Sequence, residues 1–354
     1  MKKMFAALII AMFVVNVTNA QTWTMSHQFA STSITKILML DDMNGWVVGG
    51  TNGLFKKTTD GGLTWTSIPN AIKNNLYGIT FPSALVGYVG ADSQRVMKTT
   101  DGGNTWNDII ITNANGTIKD LYFIDENNGY AMASATAGGQ ILKTTDGGAN
   151  WVIQLQASKD LLAMSFSSPT NGIVTGKDVG TIYYTTDGTS WTNAAAPSLG
   201  GYNYTRSDLW AVYMVNNNIA YAAGWGSSAA GLQPSIHLKT TDGGATWTYQ
   251  DLPEEQRTYV NFEDMYFKNE LEGYCVGGSS SYNGAVIVKT TDGGATWNTV
   301  PTEFGSPANS IQGNGDELWV AGDAGLIGHS LDGGQNWSMV NKAPSVPLYS
   351  IKQL

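Results

Sequence analysis

Thr144-Thr145-Asp146-Gly147-Gly148-Ala149-Asn150-Trp151 is a hairpin signal with an indole attached, and it recurs along the chain. A short aspartate side chain can accept backbone N–H groups two to four residues on, and paired glycines supply the φ > 0 positions that a tight turn needs. Near copies place the same pair at Asp60 and Trp65, Asp101 and Trp106, Asp187 and Trp191, Asp242 and Trp247, Asp292 and Trp297, and Asp332 and Trp337. The seven tryptophans lie 41, 45, 40, 56, 50 and 40 residues apart. The fourth copy is one residue short, reading Asp187-Gly188-Thr189-Ser190-Trp191. A period in this range is the signature of a repeat architecture in which each unit buries its apolar surface against its neighbours.

The same strand pattern surrounds each copy. In the third repeat, residues 118–124, 129–133, 140–145 and 151–154 read as four strands, rich in branched and aromatic residues and split by Asn and Gly. No helical periodicity competes. Seven repeats of four antiparallel strands predict an all-β, seven-bladed propeller over residues 21–354, with the Asp-Gly turns joining strands three and four. The stretch 22–27 mimics a fourth strand and 348–352 a first strand, so pairing of the two ends is expected to help close the ring, by a route that the sequence leaves open.

These copies resemble the Asp-box, or BNR, repeat of sialidases, sortilin-type receptors and xyloglucanases. That resemblance implies that the boxes are architectural and not catalytic. Each indole is then a plug, and Trp→Ala should cost about 3–5 kcal/mol. The Gly-Tyr and Gly-Trp strands at 44–49, 86–90 and 272–277, together with the Lys-Thr-Thr-Asp-Gly-Gly boxes, look most like the photosystem II stability/assembly factor family. The resemblance implies a non-catalytic, protein-binding ring. Members of that family use an Arg-rich patch, for which this chain has no equivalent, so only the binding mode carries over.

The N-terminus opens with Lys2-Lys3, runs apolar from Met4 to Val15 and turns small and polar up to Ala20. That layout predicts a signal peptide over 1–20 and an exported, periplasmic or extracellular product. The run is too short for a span of about 20 residues, so no membrane insertion is expected. Formal net charge is −9 for the whole chain, and −11 without the two leading lysines. Such a surface repels phosphate backbones, which argues against nucleic acid. Cys275 is the one cysteine and reads as a small buried hydrophobe. No cofactor or metal is implied, and the chain is expected to be a monomer that engages a protein or glycan partner.

Alternating strand directions sort the turns onto two faces: the boxes and the first-to-second turns on one, the second-to-third loops and blade links on the other. Length variation falls on the second face, in stretches 193–207, 224–235, 251–261 and 278–284. Aromatic and Arg-bearing loops on a rigid frame suit binding, which nominates Tyr202, Tyr204, Arg206, Trp225, Arg257, Tyr259 and Tyr282. Aligning first strands on an acid followed by Leu or Met groups Asp120, Asp160, Asp208 and Asp264 as channel acids that cap local backbone or hold a cation.

A sialidase would clamp its substrate carboxylate with three arginines and add a tyrosine nucleophile. This chain has three arginines, Arg95, Arg206 and Arg257, and Arg95 falls at the start of a third strand. His27, His237 and His329 are scattered without metal-ligand spacing, and His329, in the Lys position before a box, reads as a surface strand residue. No catalytic residue is nominated. The expected function is a non-enzymatic binding or scaffolding propeller. The alternative is a carbohydrate-active ring that uses the Arg and aromatic loops of blades five and six.

Overall fold

The structure is a computed structural model that describes residues 33–339 apart from 51–52, 70–73, 200–203, 231–232, 251, 253–259 and 280–283. The predicted signal peptide and the two spare terminal strands lie outside the described residues. Among the described residues, twenty-eight strands form seven four-stranded sheets, each antiparallel and each built from one continuous stretch of chain. The only helical element among the described residues is the short turn Asp323–Gly325. Blade three runs Thr117–Phe123, Gly129–Ser134, Gln140–Thr144 and Val152–Gln156, within two residues of the expected strand limits.

Burial changes radially. Second strands such as Gly45–Gly49, Gly129–Ser134 and Gly172–Gly176 are buried on both faces, because each blade is sandwiched between two others. Fourth strands at the outer edge, such as Asn107–Ile110, are largely exposed. The apolar residues form seven clusters, one for each seam between neighbouring blades, and no central core. A ring of seams therefore escapes the size limit of a single core.

Four of the seven seams repeat one arrangement. The second-strand aromatic of one blade stacks on a first-strand Phe of the next, and that ring meets the box indole edge-on. Tyr88 stacks on Phe123 at 3.7 Å, and Phe123 lies 6.0 Å from Trp151 at 89°. Trp46, Phe81 and Trp106 repeat the set at the first seam, and Tyr221, Phe267 and Trp297 at the fifth. Each such aromatic pair adds about 0.5–1.5 kcal/mol beyond its burial. The glycine before the second-strand aromatic is required by the same stack: a Cβ on Gly129 would sit 2.5 Å from the Phe123 ring.

The ring closes by packing blade seven on blade one. Trp319, Ala321 and Ile327 meet Ile34, Val47 and Trp65 in one cluster. The Gln312 amide donates to the Met39 carbonyl at 2.7 Å and accepts from the Met39 N–H, as a neighbouring strand would. Cys275 is fully buried in the seam between blades five and six, where burial pushes its thiol well above the usual value. His329 corrects the surface expectation: it is buried, stacks on Trp319 at 3.8 Å and contacts Glu317 Oε1 at 2.8 Å.

Candidate functional site

The Asp-Gly turns are internally saturated. In blade three, Asp146 Oδ1 accepts from the Thr144 hydroxyl at 2.9 Å and from Asn150 N at 2.8 Å. Asn150 Nδ2 reaches Oδ2 at 2.7 Å, and Gly148 N donates back to Thr144 Oγ1 at 2.9 Å. Hydrogen bonds to the charged form hold Asp146, Asp187, Asp292 and Asp332 below the usual carboxylate range, and Asp101 at about 2. For Asp60 and Asp242 burial pulls the other way, yet the same bonds prevail. The shortened fourth copy keeps the scheme, with Thr189 N and Ser190 N donating to Asp187 Oδ1.

These turns also bind their surroundings. Gly147 N donates to Asn127 O in the first-to-second turn of its own blade, and Gly61, Gly102, Gly243, Gly293 and Gly333 do likewise. The carbonyl of that first box glycine faces the preceding blade. Gly147 O receives the Tyr88 hydroxyl at 3.1 Å and Lys98 Nζ at 2.7 Å, both from blade two. Tyr130 and Lys143 hold Gly188 O, Tyr221 and Lys239 hold Gly293 O, and Tyr274 and Lys289 hold Gly333 O. This face is thus a belt of fasteners. Sequence reasoning assigned no role to these lysines and tyrosines, although the recurring Lys-Thr-Thr and Gly-Tyr were the signal.

The opposite face differs. Between blades three, four and five lies an open cavity of about 480 Å³. Lys177 Nζ meets Asp160 Oδ2 at 2.9 Å, and Lys159 meets Asp178 at 3.2 Å. Arg206 Nε donates to Asp208 Oδ2 at 2.8 Å. The Asp208 side chain is 1% exposed and that of Arg206 is 47% exposed, so a buried acid fixes a guanidinium that still reaches solvent. That guanidinium lies 5.0 Å from the Trp225 ring. The arrangement presents a preorganised donor and an aromatic surface at the rim.

Of the nominated binding residues, Arg206 and Trp225 come together, whereas Tyr204 packs against the core of the blade four–five seam. Tyr202, Arg257, Tyr259 and Tyr282 lie outside the described residues. The ends of the expected loops at 193–207 and 224–235 are strand: blade five extends its first two strands over Tyr204–Met214 and Ala220–Ser228. The extra pairing holds Arg206 and Trp225 on paired strands, with a register shift between Tyr204 and Arg206.

The four acids split into two pairs, which corrects their grouping. Register places Asp120 opposite Met132 and Asp264 opposite Val276, the level held by Lys36, Gly78, Ala163, Ala211 and Ser310 in the other blades. Asp160 and Asp208 stand three residues earlier, at the rim cavity and not in the channel. A β-bulge interrupts every first strand just before the channel level, as between Leu161 and Ala163. It turns two successive side chains toward the axis and hides the register from the sequence. There, Asp120 and Asp264 flank a cavity of about 280 Å³, and Lys36 Nζ reaches Asp264 Oδ2 at 2.8 Å.

A sequence family described as "Photosynthesis system II assembly factor YCF48" matches residues 15–158, 63–192 and 250–351. The chain belongs to the YCF48 family. A solved structure of YCF48 bound to D1 peptide is 18% identical, covers 85% of this chain and 92% of that one, and superposes with a TM-score of 0.67. YCF48 from Cyanidioschyzon merolae is 19% identical, with 84% and 95% covered and a TM-score of 0.64. The GH74 xyloglucanase from Xanthomonas campestris reaches a TM-score of 0.66 at 11% identity, over 90% of this chain and 55% of that one. At such identities the likeness to these structures is one of fold. No curated protein matches the chain by sequence. Among the described residues, no helix is long and apolar enough to cross a membrane.

Proposed function

We propose that this YCF48-family ring is an exported, non-catalytic binding module that holds a polypeptide on the face opposite its Asp-box turns. The observation that carries this reading is the Arg206 guanidinium, anchored by buried Asp208, set against Trp225 and open to solvent above a charged cavity. Such a group donates to backbone carbonyls or carboxylates while the indole takes an apolar side chain. The box face offers less, because its turn carbonyls and aspartates are already engaged. A protein-binding role also fits a family in which one member has been solved with a peptide.

The carbohydrate-active alternative rests on the xyloglucanase-like fold and on arginines beside aromatics. Against it, Arg95 is paired with Asp108 on its own blade and is not a free substrate clamp. The decisive experiment selects peptides from a display library on the full chain and measures the best binders against Arg206→Ala and Trp225→Ala. Binding should weaken at least tenfold in each variant with the native circular dichroism spectrum retained, although Arg206→Ala should lower the melting temperature because it leaves buried Asp208 without its cation. Unchanged affinity would remove this face, and turnover of sialosides or xyloglucan by the wild-type protein would overturn the non-catalytic reading.

A further inference from the structure

Four exposed apolar residues occupy consecutive blades on the Asp-box face. In six of the blades, one residue of the first-to-second turn holds the first box glycine through its carbonyl, which leaves its side chain free to differ. That residue is Asn127 in blade three and Asn218 in blade five, but Met43 in blade one, Leu85 in blade two and Leu271 in blade six. Blade seven has Asp316 there and carries its apolar residue in the box itself. Leu331 fills a place that threonine holds in the other six copies, from Thr59 to Thr291. All four side chains are more than half exposed, and none joins a seam cluster. Backbone atoms make the bonds of these turns, so asparagine or threonine would serve the fold as well.

The turns that carry them adjoin. Lys268 Nζ in the turn of blade six reaches Asp316 Oδ1 in that of blade seven at 2.5 Å. The turns of blades seven and one meet around an open cavity of about 350 Å³, lined in part by Leu40, Trp319, Asp42 and Glu317. Lys57 Nζ ties blade one to Gly102 O of blade two at 2.8 Å. This arc is also acidic. The turns of blades six, seven and one hold two carboxylates each: Glu270 with Glu272, Asp316 with Glu317, and Asp41 with Asp42. Lys268 and Lys289 answer Asp316 and Glu272, and His329 faces Glu317. Glu270 accepts only from the neutral Asn216 amide, at 2.6 Å. Among the described residues Asp41, Asp42 and the box aspartates Asp60, Asp292 and Asp332 form no ion pair.

We propose that the Asp-box face of blades six, seven, one and two is a second docking surface, for a polypeptide segment in which lysine or arginine is interspersed with apolar side chains. Apolar residues of that segment cover Leu271, Leu331, Met43 and Leu85, and its cations lie among the carboxylates between them. Exposed apolar residues rimmed by charge of one sign select a partner of the opposite sign. The same charge repels anionic lipid, and it sets like against like if two copies meet through this arc. Turn hydrogen bonds hold Asp41, Asp292 and Asp332 below the ordinary carboxylate range, so this charge persists through neutral and mildly acidic pH. The arc lies on the face opposite Arg206 and Trp225, which lets one ring hold two polypeptides at once.

The test titrates the full chain into a short fluorescent peptide of lysine and leucine, read by anisotropy. Two relatives, with glutamate for the lysines or serine for the leucines, run beside it. The lysine–leucine peptide should bind saturably and more weakly as salt rises, and both relatives should bind at least tenfold less tightly. Met43→Asn, Leu271→Asn and Leu331→Thr together install what other blades carry, and should weaken binding at least tenfold with the circular dichroism spectrum unchanged. Asp42→Asn with Glu270→Gln should weaken it and flatten its salt dependence. Val152→Ser, which removes an exposed apolar residue on the outer strand of blade three, should leave it unchanged. Absence of saturable binding, undiminished affinity in either arc variant, or loss in the Val152 variant would overturn the proposal. So would a dimer in sedimentation velocity, or flotation with phosphatidylcholine vesicles, that the triple variant abolishes, since either gives the arc to another occupant.

Discussion

Replacing Tyr221 and Lys239, singly and together, tests whether the blades are fastened through a shared carbonyl. The Tyr221 hydroxyl reaches Gly293 O at 2.7 Å and Lys239 Nζ reaches the same atom at 2.6 Å, across the seam between blades five and six. Tyr221→Phe keeps the ring stacked on Phe267 at 4.1 Å and removes only the hydroxyl. With the lysine still in place, the loss should be about 1 kcal/mol, the net worth of one hydrogen bond. Lys239→Met keeps the stem and should cost a similar amount, again about 1 kcal/mol. The double variant leaves the buried carbonyl without either donor, which adds a desolvation penalty of about 1–3 kcal/mol. Urea unfolding followed by tryptophan fluorescence, arranged as a double-mutant cycle, should therefore give a coupling of at least about 1 kcal/mol. Losses that add to within about 0.5 kcal/mol would show that the two groups do not share the carbonyl, and the fastening argument would fall.

Two further expectations concern pH. The box aspartates have depressed pKa values in the folded state, so their contribution is whole above the ordinary carboxylate range near pH 4 and is lost as pH falls through values such as the about 2 of Asp101. Thermal melts between pH 5 and pH 2 should fall more steeply for wild type than for Asp101→Asn, and parallel curves would contradict this. His237 is fully buried against Phe262 and Trp297, and burial lowers its pKa to about 3. Its unfolded form takes up a proton near pH 6.5, so the stability it permits is lost as pH drops from there. His237→Phe should gain on wild type at pH 5 relative to pH 7.5, and an unchanged gap in urea midpoints would sink the assignment.

The blade count and strand order were legible because the turn chemistry is local: an aspartate, its glycines and its donors lie within five residues, as Asp146 to Asn150 do. What acts between repeats was not. Tyr88 and Lys98 meet Gly147 across 59 and 49 residues, and no local periodicity reports such a contact. The channel level was misread for a related reason. Asp120 and Asp160 each precede a leucine, but Leu121 pairs with Ala131 beyond the bulge and Leu161 with Gly176 before it. Three positions, one of them the unpaired bulge residue, separate those situations, and the bulge leaves no mark on composition. The long strands of blade five were hidden by Gly224, Gly226 and the serines around them, which resemble loop residues until their pairing partners are known.

The fasteners on the Asp-box face work like hooks and eyes. A tyrosine and a lysine on one blade make the hook, and the first glycine carbonyl of the following turn makes the eye; blades three and six carry both. A segment that brings its own hook and eye can be copied and inserted after any other without orphaning either. Growth of the ring by tandem duplication then needs no matching change elsewhere, and the near-identity of the turns from one end of the chain to the other is what such a history would leave.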